Sequence, residues 1–463
     1  MSDTAAPAPT GFVRKGLLRL SWPLLLLTVF TLLATLGNVV LLSMASAELN
    51  AAVATSNQIL GVLYDISVLF SLGGLVVIAQ QLGAGAFAAA RRATILLLRT
   101  STILGLLIAA FVALAGPLLL RLINTPPDIA DDAATYLWVV AGGMAFNAYV
   151  VAATAALRAY GRTVAILVLG IVVNLLDVGL LYVLLFVANL GVPAAALPTL
   201  IVRGIGVLLL AWLVKKVAGV GLFTRLPEKN AATDAWTMAR LSIPTVVENG
   251  VYNLAIVFAV TFINLLGTDA INARSYALTL TALVTGVLLA LAQGNETIVG
   301  WDVGEGERRL ALRQTLRTAA GTAVASAILA ALLWFFAEAA LSIFGANAAV
   351  VADARTALAI SVLLLPLSAV TAVVYGALRS SGDVVVPMIY SVASSVVVLV
   401  PLSWLLIQVA GLGVAGAFWA LSAAEAVKAA LLVARWVRGR WMKIPAVAAV
   451  SSEAGIVSSE VSR

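Results

Sequence analysis

Twelve long apolar stretches alternate with short polar connections along the chain, at about 17–44, 52–79, 94–120, 133–156, 163–187, 193–214, 237–264, 271–300, 314–344, 354–377, 384–409 and 414–436. Each is long enough for a helix that crosses a bilayer, which takes about 20 residues. The pattern predicts an all-α polytopic membrane protein, with several spans long enough to tilt or project. The first stretch follows a polar, then basic, start. It exceeds the apolar core of a signal peptide, about 7–15 residues, and is read as the first span.

The second half repeats the first at an offset of 221 residues. Ser21-Trp22-Pro23 recurs as Ser242-Ile243-Pro244, and Leu82-Gly83-Ala84-Gly85 as Val303-Gly304-Glu305-Gly306. Ala156-Leu157-Arg158-Ala159-Tyr160-Gly161 recurs as Ala377-Leu378-Arg379-Ser380-Ser381-Gly382. Leu190-Gly191-Val192 recurs one residue later than that offset, as Leu412-Gly413-Val414. Six spans per copy is an even number, so both copies enter from the same side and the repeats are parallel. The expected organisation is a tail at 1–16, a six-helix lobe at 17–214, a linker at 215–236, a second six-helix lobe at 237–436 and a largely disordered tail at 437–463.

Composition sharpens this picture. Hydrophobic residues are 62% of the chain and charged residues 11%, whereas soluble domains carry about 25% charged residues. The net charge of +7 would suggest nucleic acid in a soluble protein. Here the bases sit in particular loops: Arg14 and Lys15, Arg91 and Arg92, Arg158 and Arg162, Lys215 and Lys216, Arg308 and Arg309, Arg379, and Arg435 to Lys443. The opposite loops hold little beyond Arg121, Arg274 and Arg355. By the positive-inside rule both termini are cytoplasmic in a cell membrane, and no nucleic-acid partner is expected. The chain has no cysteine and no histidine, which removes thiol chemistry, most metal schemes and the usual proton shuttle. Any proton coupling must use carboxylates. No cofactor and no enzymatic activity are expected, and the chain is read as a monomer among membrane lipids.

Ionisable side chains inside spans are costly and mark candidate sites. They are Asp65, Asp177, Arg203, Glu248, Glu296, Glu425 and Lys428, with Glu338 near an outer end. Glu248 lies about 16 Å along its span at a rise of about 1.5 Å per residue, near the midplane. Asn38, Asn174, Asn249, Asn253 and Asn295 add neutral oxygens of the kind hard cations prefer. The candidate cation-coupling set is Glu248, Glu296, Asp177, Asn174, Asn253 and Asn295, with Glu248 and Asn253 as the candidate Na⁺ ligands. Asn38, Asp65, Arg203 and Tyr276 are candidate residues of a substrate cavity. Each has a plain structural reading. Glu425 and Lys428 are three apart and can pair with each other. Arg203, which aligns with Glu425, can be a counter-ion for Asp177 or Asp65. Asp65 can line the cavity or be neutralised by a neighbour. The Gly-rich turns lack the Gly-Lys-Ser/Thr of a phosphate loop.

Those turns carry a resemblance. Gln81-Leu82-Gly83-Ala84-Gly85 and Val299-Gly300-Trp301-Asp302-Val303-Gly304-Glu305-Gly306 resemble the duplicated motif of the MATE (multidrug and toxic compound extrusion) transporters of the MOP flippase superfamily. Pro23, Pro244, Arg158-Ala159-Tyr160-Gly161 and Arg379-Ser380-Ser381-Gly382 are similar to that family as well. The resemblance implies a V-shaped two-lobe bundle and antiport, with an H⁺ or Na⁺ gradient driving export of organic, often cationic, compounds. It implies that Glu248 is the helix 7 coupling acid and that Asn174 and Asp177 form the helix 5 pair. Two departures stand out. Asn38 stands where some branches have an acid, and the tenth span has no carboxylate, so Glu296 is the candidate substitute. The alternatives are a lipid-linked oligosaccharide flippase, which needs a more basic cavity, and a membrane-embedded enzyme.

Overall fold

The computed structural model describes residues 11–123, 125–222, 224, 231–342 and 347–446. Among them the chain is helical throughout, as a lipid environment demands of any backbone that crosses it. Eleven helices are long and apolar enough to cross a membrane, or twelve when a bent pair counts as one span. Much of the apolar surface faces outward, as with Leu33, Leu114 and Val397, which suits lipid and not water.

The chain divides into two compact units, Met1–Ser242 and Ile243–Arg463, with the boundary inside a helix. The first unit contains α1 (Leu17–Ala45), α2 (Ala47–Ser67), α3 (Leu69–Gly83), α4 (Phe87–Leu122), α5 (Pro127–Gly142), α6 (Met144–Ala159), α7 (Thr163–Tyr182), α8 (Val192–Ala218) and the start of α9 (Ala231–Asn264). The second contains the rest of α9, α10 (Thr268–Gly304), α11 (Arg308–Phe335), α12 (Ala337–Ser342), α13 (Ala348–Ser380), α14 (Val385–Ala393), α15 (Val400–Trp404) and α16 (Gly413–Val437). Small residues line the contacts: Ala52, Ala133, Ala194 and Ala196 are fully buried in the first unit, and Ala273, Ala277, Ala354 and Ala357 in the second. Without a hydrophobic drive between helices in lipid, close approach of backbones supplies the packing energy. Gly105 shows the tolerance. A Cβ there would lie 2.6 Å from both Ala145 Cα and Met144 O, where α4 crosses α6. Gly105→Ala is expected to lower stability by about 1–3 kcal/mol, the usual cost of overpacking, read as a lower melting temperature of the purified protein.

Three predicted spans are interrupted. The stretch at 133–156 breaks at Gly143, and its halves α5 and α6 meet at 46°. The Gly142-Gly143 pair is the cause, since glycine holds a helix weakly. The stretch at 52–79 breaks at Val68, just after Ser67, whose hydroxyl donates back to Tyr64 O at 2.7 Å. The stretch at 314–344 ends at Phe335 and resumes as the short α12, with 343 and 344 outside the described residues. The linker residues Pro227 to Asn230 and the tail at 447–463 also lie outside them.

The repeat extends to single hydrogen bonds. Gly85 and Gly306 take φ of +70° and +85°, and Phe87 and Arg308 donate to their carbonyls at 3.0 and 2.9 Å. Gly161 and Gly382 follow at +74° and +89°, with Arg162 N donating to Leu157 O and Asp383 N to Leu378 O. Only glycine takes this left-handed conformation readily, which is why the motif recurs. Helical π-turns end the equivalent spans at Val183–Val187 and Leu405–Val409, an offset of 222. The extra residue is absorbed by a further π-turn, Ser394–Leu399, between α14 and α15, with no equivalent among the first unit's elements. A single-residue insertion into a helix is commonly held in this way, and often near a functional site.

Candidate functional site

Two polar clusters form, one inside each unit. In the first, α1 and α7 run side by side and place Asn38 Nδ2 2.7 Å from Asp177 Oδ2. Asn174 Nδ2 donates to Thr31 Oγ1 at 3.1 Å. Thr31 and Asn38 are seven residues apart on α1, and Asn174 and Asp177 three apart on α7, so each pair shares a face. Arg203 of α8 donates through Nη2 to the Tyr64 hydroxyl at 2.9 Å, with its guanidinium 4.8 Å from the same ring. Arg203 acts electrostatically on Asp177, and Tyr136 lies beside Tyr64, Asn57 and Asp177. Asp65, next to Tyr64, is exposed and outside this group. A cavity of about 200 Å³ adjoins the cluster, lined by Thr31, Thr154, Asn174 and Arg203 among aliphatic side chains.

In the second unit Glu248 sits at the middle of α9, half-buried. The charges acting on it are Lys428, Arg379 and Glu425, with the hydroxyls of Ser391 and Tyr375 beside it. Lys428 Nζ contacts Glu425 Oε1 at 2.7 Å and lies 5.3 Å over the ring of Tyr252. Arg379 contacts Glu296 Oε1 at 2.7 Å through both Nε and Nη2, with Glu296 almost wholly buried. Glu248 forms no ion pair among the described residues. Asn295 turns away from Glu296 and donates to Thr315 Oγ1 at 3.3 Å. Asn253 and Asn249 are exposed, and Asn253 has no hydrogen-bond partner among the described residues. Tyr276 packs against the apolar core around Leu358 and Phe418. Glu338 is exposed and paired with Arg355.

The two clusters occupy repeat-equivalent positions. Six residues of the cavity wall in the first unit, Leu27, Thr31, Thr154, Gly170, Arg203 and Gly206, correspond to Glu248, Tyr252, Tyr375, Ser391, Glu425 and Lys428 in the second. Where one copy leaves a cavity, the other carries large polar side chains.

Tyr252 and Tyr375 are not among the residues expected from the sequence. Tyr252 lies four residues after Glu248, and Tyr375 four before Arg379, so helical spacing put each on the same face as a charge. Asn253, five residues after Glu248, falls about 140° round the helix at 100° per residue.

The sequence profile of the MatE family matches residues 23–183 and again 244–405, one match in each repeat. The chain belongs to the MatE family. Both matches open on the helix prolines, Pro23 and Pro244, and close on the first residues of the two equivalent π-turns. Its relatives include an uncharacterised transporter, YisQ, of Bacillus subtilis, 25% identical over 92% of this chain and 95% of that protein. A probable multidrug resistance protein, NorM, of Thermotoga maritima is 23% identical over 93% and 94%. Among solved structures, an outward-facing multidrug resistance MATE transporter aligns with a TM-score of 0.85 at 20% identity, covering 95% of this chain and 99% of that one. A MOP superfamily transporter from Pyrococcus furiosus aligns with a TM-score of 0.84, also at 20% identity, over 93% and 96%. The fold is therefore that of the MATE transporters, and this MatE-family chain is a multi-pass membrane transporter and not an enzyme.

Proposed function

We propose that this chain is a secondary antiporter of the cell membrane that exports small organic, often cationic, compounds by alternating access, driven by a cation gradient, H⁺ or Na⁺. Glu248 is the coupling acid. One observation carries this reading: Glu248 is a carboxylate at the middle of a membrane span, in a cluster whose other carboxylates, Glu296 and Glu425, each hold a basic partner. It is the one left to bind and release a cation. The Asn38–Asp177 pair in the first unit is the second candidate, with its charge balanced in part by Arg203. Relatives that are probable multidrug resistance proteins favour organic compounds as cargo. The mid-span bases are engaged by Tyr64 and Glu425, which weighs against a site for a lipid-linked pyrophosphate. Two six-helix lobes, with arginine-rich loops and both termini in the cytoplasm, complete the reading.

The test is transport by the purified protein in proteoliposomes, with a cationic dye as cargo and pH and Na⁺ gradients imposed separately. Dye movement is expected to follow one gradient and to stop when that gradient is collapsed. Equal movement with and without any gradient overturns the proposal.

A further inference from the structure

The polar cluster of the second unit already holds a cation, the Lys428 ammonium. Lys428 is 7% exposed. Its ammonium is 2.7 Å from Glu425 Oε1 and stacks over Tyr252, and it is the foremost charge acting on Glu248. Its place in the repeat is that of Gly206, which has no side chain and lines the first unit's cavity. The groups around Lys428 offer oxygens: the carboxylates of Glu248 and Glu425, whose Oε2 is buried without a hydrogen-bond partner, and the hydroxyls of Ser391 and Tyr375. Hard cations take oxygen ligands of this kind.

We infer that Lys428 is a tethered cation that occupies the metal position of this cluster and makes the site selective for H⁺ over Na⁺. The inference rests on the reading of Glu248 as a coupling acid and names the ion it takes. The charges decide the matter. Three carboxylates, Glu248, Glu296 and Glu425, face two bases, Arg379 and Lys428, so the cluster carries one negative charge when all are ionised. The remaining groups facing it from α9 and α13 are Tyr252 and Tyr375, while Arg274 of α10 acts on Tyr252 and not on Glu248. One proton on one oxygen of Glu248 cancels that charge and needs no further space. A Na⁺ ion needs several oxygens at once, and the ammonium already engages those of Glu425. It would also bring a full positive charge beside Lys428, against the repulsion that two like charges exert in a poorly screened interior.

The test is thermal unfolding of the purified protein in Na⁺ and in K⁺ at equal ionic strength, since a ligand that binds the folded state raises stability with its concentration. The wild-type protein is expected to melt alike in both salts. Lys428→Met removes the tethered charge and is expected to be stabilised by Na⁺, with a half-saturating concentration at least about tenfold lower than any seen for the wild type. Lys428→Arg, which keeps the charge, is expected to remain indifferent to Na⁺. If Lys428→Met does not fold, the double variant E425Q/K428M, which buries no unpaired charge from the pair, decides, and the same response to Na⁺ is expected of it. A wild-type protein stabilised by Na⁺ over K⁺ overturns the inference. So does a lack of response in the variant that folds. The readout is binding and not transport, so a failure of the antiport reading would show in the dye assay and leave this result to stand by itself.

Discussion

Replacing Glu248 by glutamine is expected to reduce gradient-driven export by about 5- to 150-fold, the range that an ordinary coupling free energy of about 1–3 kcal/mol spans. Glutamine keeps the size of the side chain and its reach to Ser391 and Tyr375, but it neither binds nor releases a proton. With Glu296 paired to Arg379 and Glu425 to Lys428, the variant leaves the cluster permanently neutral. A cation arriving from outside then finds no charge to cancel, and nothing distinguishes the two states of the transporter. Two states respond to a ligand only in proportion to its differential affinity for them. Dye efflux from proteoliposomes under an imposed gradient measures the effect, with the melting temperature as a check that the protein is folded. Wild-type rates in Glu248→Gln would remove this residue from the mechanism.

Glu296→Gln is expected to act on stability instead, by about 3–5 kcal/mol, the cost of stranding one partner of a buried ion pair. Both partners are largely enclosed, and Ser380 Oγ donates to the Glu296 backbone carbonyl at 2.7 Å, which ties the two helices together where Arg379 would lose the carboxylate it bonds. Removing both charges in E296Q/R379Q should recover most of the loss. Thermal unfolding of the two variants separates a structural pair from a coupling site. If Glu296→Gln melts like the wild type while export is lost, Glu296 belongs to the coupling machinery, as the sequence alone suggested.

The difference between these two glutamates was not legible in the chain. Both lie in the second repeat, both face leucines in the first, and both sit in spans without a basic residue close on the same helix. What separates them is Arg379, which is 83 residues from Glu296 in sequence and reaches it only because α10 packs on α13. Glu425 and Lys428 were easier, because three residues on one helix are neighbours by geometry alone. Arg203 illustrates the reverse case. Its bond to Tyr64 spans 139 residues, and the acceptor is an uncharged side chain rather than a carboxylate. Asn38 was singled out as the residue standing where an acid might be, and it bonds Asp177, also 139 residues away.

Local rules, by contrast, were enough for the elements. The apolar runs mark out the eleven or twelve spans because a bilayer permits helices long enough to cross it and little else. The duplicated glycines fix the turns, since Gly85, Gly306, Gly161 and Gly382 all take a backbone conformation that other residues avoid. The repeat itself was readable from matching motifs, and so was the one-residue change in its offset. Tertiary structure decided where that residue goes, into the π-turn at Ser394–Leu399. It also decided that Leu27, Thr31, Gly170 and Gly206 border a cavity, while their equivalents Glu248, Tyr252, Ser391 and Lys428 gather around charge. Periodicity and turn chemistry act over a few residues and are written into any short stretch of the chain. The pairing of buried charges depends on which helices touch, and that contact exists only once the whole unit has packed.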